Sequence, residues 1–323
     1  MKQKPTTKIQ NKLCILSPSP IVFYCVILQK KNKMESNTKN SMHIRCNSLP
    51  SAPHPLVPQF HENLQRLKDS EATSTSSISH KLSGLMDLHD CADKLLQLST
   101  TQQTLTLECG EKSVDDLLEG SLRLLDICST AQDCLLRSKE NMHVVQSVIR
   151  RKSVAGVEFT VEGEKYLTSR KMIKKEIQKV LRNLKGMKNE LIACSSSKDN
   201  ENSSIFVMLK EAEAVTVRSL ESMLLFVSDS KGQSKKSIWS TMSKMMQPTR
   251  VSCDYSQESD SNEFVKVDAT LQSLISHKVL SVENIHSHME NLEICIEDLE
   301  GGVEQLSRQL IRTRVSLLNI FSQ

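Results

Sequence analysis

The last fifty residues of this chain carry a heptad. Alternating steps of four and three from Leu271 land on Leu271, Ile275, Lys278, Val282, Ile285, Met289, Leu292, Ile296, Leu299, Val303, Leu306, Leu310, Thr313 and Leu317. Twelve of these fourteen positions are apolar. A 3.5-residue period sustained over about seven heptads predicts one long helix with a narrow seam against other helices. A seam of this kind buries and assembles, and it carries no chemistry.

Composition points the same way. Residues 59–247 contain no proline, and glycine occurs only 9 times in the 323 residues, which favours long helices over strands and turns. Aromatic residues are 3% of the chain, too few for the cross-strand pairs of a β-sandwich. The net charge of +4 hides an uneven split: residues 1–40 hold eight lysines and one glutamate, so the remainder is net −3. That balance gives no electrostatic argument for nucleic acid. The ten cysteines form no C-x-x-C pair and sit mostly in apolar helical patterns, as expected of reduced, buried thiols in an intracellular protein. Ile21–Leu28 is apolar but too short to span a bilayer, and lysines follow it rather than a small-residue cleavage site. The chain therefore reads as cytoplasmic and not secreted. Residues 1–42 read as a disordered extension, with Met34 a candidate true start.

Residues 43–323 read as one all-α domain, an elongated helix bundle. Pro53-His54-Pro55 opens a first helix with Leu56, Phe60, Leu64 and Leu67 on one face. A second helix is expected over 79–98, and a short helix or extended link over 100–109. Ser113 is the expected cap of a long third helix whose seam runs Leu117, Ser121, Leu124, Cys128, Ala131, Leu135, Ser138, Met142, Val145 and Ile149. The β-branched, glycine-containing stretch 154–163 is expected to break the chain. A fourth helix follows over 164–194, with Ile173, Ile177, Val180, Leu184, Met187 and Leu191 in register. A fifth covers 204–227 and a short apolar one 238–246. Disordered linkers are expected near 195–204 and 247–262. Gly301 and Gly302 would weaken a free-standing helix by about 1 kcal/mol each. The other helices carry matching seams, so the C-terminal heptad reads as the spine of an intramolecular bundle. A homodimer through that heptad is the alternative.

The strongest charge feature lies on the fourth helix. Residues 165–188 hold nine cations against the single acid Glu176, and Arg170, Lys171, Lys174, Lys175, Lys179 and Arg182 form a candidate interaction face. Its candidate partners are an acidic protein and an anionic membrane surface. Nucleic acid is disfavoured, because Tyr166 is the only aromatic there and provides no stacking platform. The acidic stretch 283–304 is a natural counterpart within the chain, as opposite charges flank a shared coiled-coil seam. His286 and His288 point about 200° apart on a helix and cannot share a metal. His89, Asp90 and Cys91 spell nucleophile-triad types, but helix neighbours fan out to different faces. Hydrolase, zincin, P-loop and dinucleotide motifs are lacking, so no enzyme, metal or cofactor is expected. Ser153 after Arg150-Arg151-Lys152, and Ser48 within Arg45-Cys46-Asn47-Ser48-Leu49-Pro50, are candidate phosphorylation sites.

Several strings, in this order, resemble one plant family. They are His43–Ser51 with His54-Pro55, Gly84–Asp90, Gly120–Cys128, Val148–Lys152, Ser169-Arg170-Lys171 with Lys174-Lys175-Glu176, and Ile311–Ile320. The chain is similar over residues 43–323 to domain-of-unknown-function family 241, related to the BYPASS proteins. Cys46 and Asn47 depart from the serine-rich character expected before Ser48-Leu49-Pro50. The resemblance implies a land-plant, all-helical, non-enzymatic protein associated with root and shoot development, and it supplies no catalytic residues. The function expected is therefore that of an interaction or scaffold protein. Peripheral attachment to anionic lipid through residues 165–188 is the alternative.

Overall fold

Among the described residues the apolar periodicities become eight α-helices. The computed structural model describes residues 54–72, 78–151, 157–195, 205–228, 262–276 and 282–322, all within the unit Ser51–Gln323. They form α1 (Leu56–Ala72), α2 (Ile78–Leu96), α3 (Ser99–Glu108), α4 (Glu111–Arg150), α5 (Val157–Ser195), α6 (Ile205–Ser228), α7 (Glu263–Ile275) and α8 (Val282–Phe321), and no strand occurs among the described residues. The expected all-α bundle is the fold. The expected helix 238–246, the polar linker 196–204 and the stretch 247–261 lie outside the described residues.

Helix α6 is the inner one. Met208, Ala212, Val215, Val217, Leu220, Met223, Leu224 and Val227 are buried, a spread of positions too wide for a one-sided stripe. It packs against each of α1 to α5. The α1–α2 hairpin is tied by Asn63 Nδ2, which donates to the Asp87 carbonyl at 3.3 Å. Helix α4 runs antiparallel to both α5 and α8. Asn141 Nδ2 donates to Ser169 Oγ at 3.0 Å, and Arg314 Nη1 donates to Ser121 Oγ at 2.8 Å.

The C-terminal heptad is spread over two helices rather than one. Thr270 Oγ1 lies 2.9 Å from His288 Nδ1. Eighteen residues of straight helix would hold them about 27 Å apart. The chain therefore doubles back between Ser276 and Val282, and α7 packs on α8 as a hairpin. Lys278, the polar member of the seam, lies outside the described residues, between α7 and α8. From Ile285 to Leu317 the α8 seam is buried, for example Ile285, Met289, Leu292, Ile296, Val303 and Leu306 at 0% exposure. Helices of the same chain cover it, chiefly α2 and α4.

Two boundaries differ from expectation for local reasons. Gly110, not Ser113, is the N-cap of α4, with extended backbone and the Ser113 and Val114 amides donating to its carbonyl. Gly163 lies inside α5 rather than in a break. A Cβ there would come within 2.9 Å of Ile275 Cδ1, so its smallness admits α7.

The glycine pair in α8 divides in the same way. A Cβ on Gly302 would meet Leu82 Cδ1 at 2.8 Å, whereas one on Gly301 would meet nothing within 4 Å. Gly301→Ala should therefore gain roughly 0.5–1 kcal/mol through helix propensity. Gly302→Ala should lose stability as α2 is pushed off. Urea denaturation of both variants checks this, and a gain for Gly302→Ala would contradict the packing account.

Candidate interaction face and its buried anchor

Helix α5 divides into two faces. Tyr166, Arg170, Ile173, Ile177, Leu181 and Leu184 point inward and are buried. Lys171, Lys175, Lys179, Arg182 and Lys185 are exposed and carry no ion pair among the described residues. From Lys171 to Lys185 the stripe is about 21 Å long. Of the six cations expected to form a face, Lys171, Lys175, Lys179 and Arg182 are on it. Lys174 sits at its edge and is bound to Asp268 at 3.0 Å. Arg170 does not belong to the face: it is 2% exposed and part of the interior.

Arg170 anchors three helices. Its Nε donates to Asp268 Oδ1 of α7 at 3.3 Å, and Nη2 donates to the Val227 carbonyl of α6 at 2.9 Å. Its guanidinium carbon lies 4.6 Å from the centre of the Phe264 ring. Val227 is one of the last residues of α6, whose terminal carbonyls lack helical partners and carry the negative end of the dipole, so a buried cation is favourable there. Asn262 satisfies the neighbouring carbonyl, Phe226, with its Nδ2 at 2.7 Å. The Asn262 Oδ1 accepts from the Val265 amide at 2.9 Å and so caps α7 as well. Burial, with the Asp268 charge second, pushes the Tyr166 phenol up from its ordinary range.

The acidic helix has a different cationic partner from the one expected. Lys139 of α4 pairs with Glu297 at 3.2 Å and Glu300 at 3.1 Å. His143 and Gln146, also on α4, both reach Glu293 at 3.0 Å. The Gln146 hydrogen bond, then that of His143, holds the Glu293 carboxyl below its usual range. Helix α4 packs against both charged helices, so the basic face of α5 and the acids of α8 are not partners. Arg137 of α4 takes Glu176, the acid within the basic stretch.

The remaining candidates separate in space. His286 pairs with Glu290 at 3.1 Å, while His288 faces Thr270. Of the triad-like neighbours, Asp90 binds Lys94 at 2.7 Å and Cys91 Sγ faces the Leu56 carbonyl at 3.5 Å. His89 is buried, with Nε2 2.8 Å from Thr216 Oγ1. That hydroxyl donates to the Ala212 carbonyl, so Nε2 carries the proton and donates to it. Nδ1 is left without a partner, and burial lowers the imidazole pKa to about 4. Burial also pushes the Cys128 thiol up to about 12, which disfavours the thiolate. Ser48 and Ser153 lie outside the described residues. Among the described residues no group of His, Cys, Asp and Glu is arranged to hold a metal, and no helix is long and apolar enough to cross a membrane.

Sequence signal for Arg170 was present. Continuing the α5 seam backwards from Ile177 and Ile173 lands on Arg170 and Tyr166. Comparison with curated proteins and with solved structures found no match. A family model described as Protein BPS1 matches residues 81–320, covering helices α2 to α8 almost completely. That range takes in the Gly84–Asp90, Gly120–Cys128, Val148–Lys152, Ser169–Glu176 and Ile311–Ile320 strings, and with it the anchor residues Arg170, Phe264 and Asp268. The chain belongs to the BPS1 family, the BYPASS-related family 241, and is a plant developmental protein whose family carries no assigned biochemical activity.

Proposed function

We propose that this chain is a non-enzymatic interaction protein of the cytoplasm, acting in root and shoot development, and that it docks an acidic protein partner on the outward face of α5. One observation carries this reading. Lys171, Lys175, Lys179, Arg182 and Lys185 share one exposed stripe, and no acid of the chain neutralises them among the described residues. Some exposed cations elsewhere are paired, as Arg66 is with Asp87 and Arg308 with Glu304, and those that are not, such as Lys112 and Lys266, stand singly rather than in a stripe. An unneutralised stripe steers and orients an oppositely charged surface. Arg170 and Lys174 support it from beneath by fixing α5 to α6 and α7.

A fluorescent poly-glutamate peptide tests the stripe. The wild-type chain should bind it at low ionic strength and release it as salt rises. The K171Q/K175Q/K179Q/R182Q variant should bind about tenfold more weakly. Equal binding by the two proteins would overturn the reading. A second reading, attachment to anionic lipid, is favoured by Met172 and Val161, which are 54% and 40% exposed beside the stripe. Cations near such a surface contribute about 1 kcal/mol each. Phosphatidylserine vesicles that sediment the wild type, with poly-glutamate unbound, would select it.

A further inference from the structure

We propose that the joint outward face of α4 and α5 is the contact between two copies of this chain, related by a two-fold axis parallel to the helices. This rests on reading the α5 stripe as a docking element, and it names the partner. Eight large apolar side chains are exposed among the described residues, and five of them lie on α4 and α5: Leu122, Leu136, Val144, Val161 and Met172. Between the two helices lies a groove with Ile127, Val180 and Leu184 in its lining.

The charges are self-complementary. Asp126, Asp133 and Glu140 recur every seven residues on the outward side of α4, exposed and without an ion pair among the described residues. Beside this acidic ladder runs the basic stripe of α5. A two-fold axis parallel to the helices lays α4 of one copy over α5 of the other and keeps each residue at its own height. The heights are fixed within the chain by Asn141 beside Ser169 and Arg137 beside Glu176. In that register Asp126 is level with Lys185, Asp133 with Lys179 and Glu140 with Lys171. Each pair forms twice, as a two-fold contact requires. From Leu122 to Val144 the face is about 33 Å long. Two helices make it about 20 Å wide, so about 650 Å² is covered per copy, close to the ~800 Å² of a standard interface.

Sedimentation velocity of the full chain tests this with two charge-reversal variants, D126K/D133K/E140K and K171E/K179E/K185E. All six positions are exposed, and unchanged thermal melts would show that both variants fold. The wild type should be a dimer that dissociates as salt rises. Each variant alone should be a monomer, because like charges then face each other. Mixing the two should restore a dimer, since opposite charges again face each other in both halves, in one half with the signs exchanged. A monomeric wild type, or variants that stay monomeric when mixed, would overturn the proposal. If that monomer still binds poly-glutamate through the stripe, the docking reading stands and only the second copy is wrong; if it binds none, both fall.

Discussion

Asp268→Ala is expected to lose about 3–5 kcal/mol of folding stability. Arg170 stays 2% exposed, and its charge loses Asp268, the one carboxylate bonded to it among the described residues. The Val227 carbonyl and the Phe264 ring hold only partial charges against a full one, and Nη1 already lacks a hydrogen-bond partner. Lys174→Ala removes the other cation from the same carboxylate, but that lysine is 32% exposed and can hydrate, so the expected loss is under about 1 kcal/mol. Replacing both buried partners, as Arg170→Met with Asp268→Leu, should recover much of the loss, because no uncompensated charge remains. Urea denaturation of the three proteins gives the comparison. Equal losses for Asp268→Ala and Lys174→Ala would mean that the Arg170 charge is not the buried one.

Acid should weaken the fold through His89. In the unfolded chain its imidazole takes a proton at the ordinary value of 6.5, while in the folded chain burial delays this to about 4. Through that window the unfolded state binds more protons than the native state, so stability falls as pH falls. The contribution is complete above 6.5, drains between 6.5 and about 4, and is flat below, where both states are protonated. Its full size is roughly 3 kcal/mol. His89→Gln keeps a donor for Thr216 and removes the titration. Its stability profile should be flatter than the wild type's by that amount across the window. Carboxylates that titrate nearby are common to both proteins and cancel in the difference. Parallel profiles would show that His89 is not held neutral.

Most of the fold was legible because helical seams are written in spacing. Phe60, Leu64 and Leu67 line the inner face of α1, and Leu124, Cys128, Leu135 and Met142 that of α4, as their periods require. What spacing could not show is where a helix stops while its pattern continues. The heptad passes through Lys278 unbroken in register, yet α7 and α8 are antiparallel, since each helix keeps its own stripe on either side of a turn. Facing partners were equally hidden. The acids of 283–304 and the cations of 165–188 are opposite in sign, but pairing depends on which helix lies between them, and that helix is α4. Arg170 was grouped with the surface cations by residue type, although its place in the seam assigned it to the core. Position within the period was the better guide there.

Asn262 holds the end of α6 and the start of α7 together with a single side chain. Ser228, which ends α6, and Asn262, which caps α7, are therefore neighbours in space although far apart in sequence. Loop-closure entropy grows only with the logarithm of length, so doubling a connection costs about 0.6 kcal/mol. The seat of α7 against α6 is thus set by one amide side chain rather than by how many residues separate the two helices along the chain.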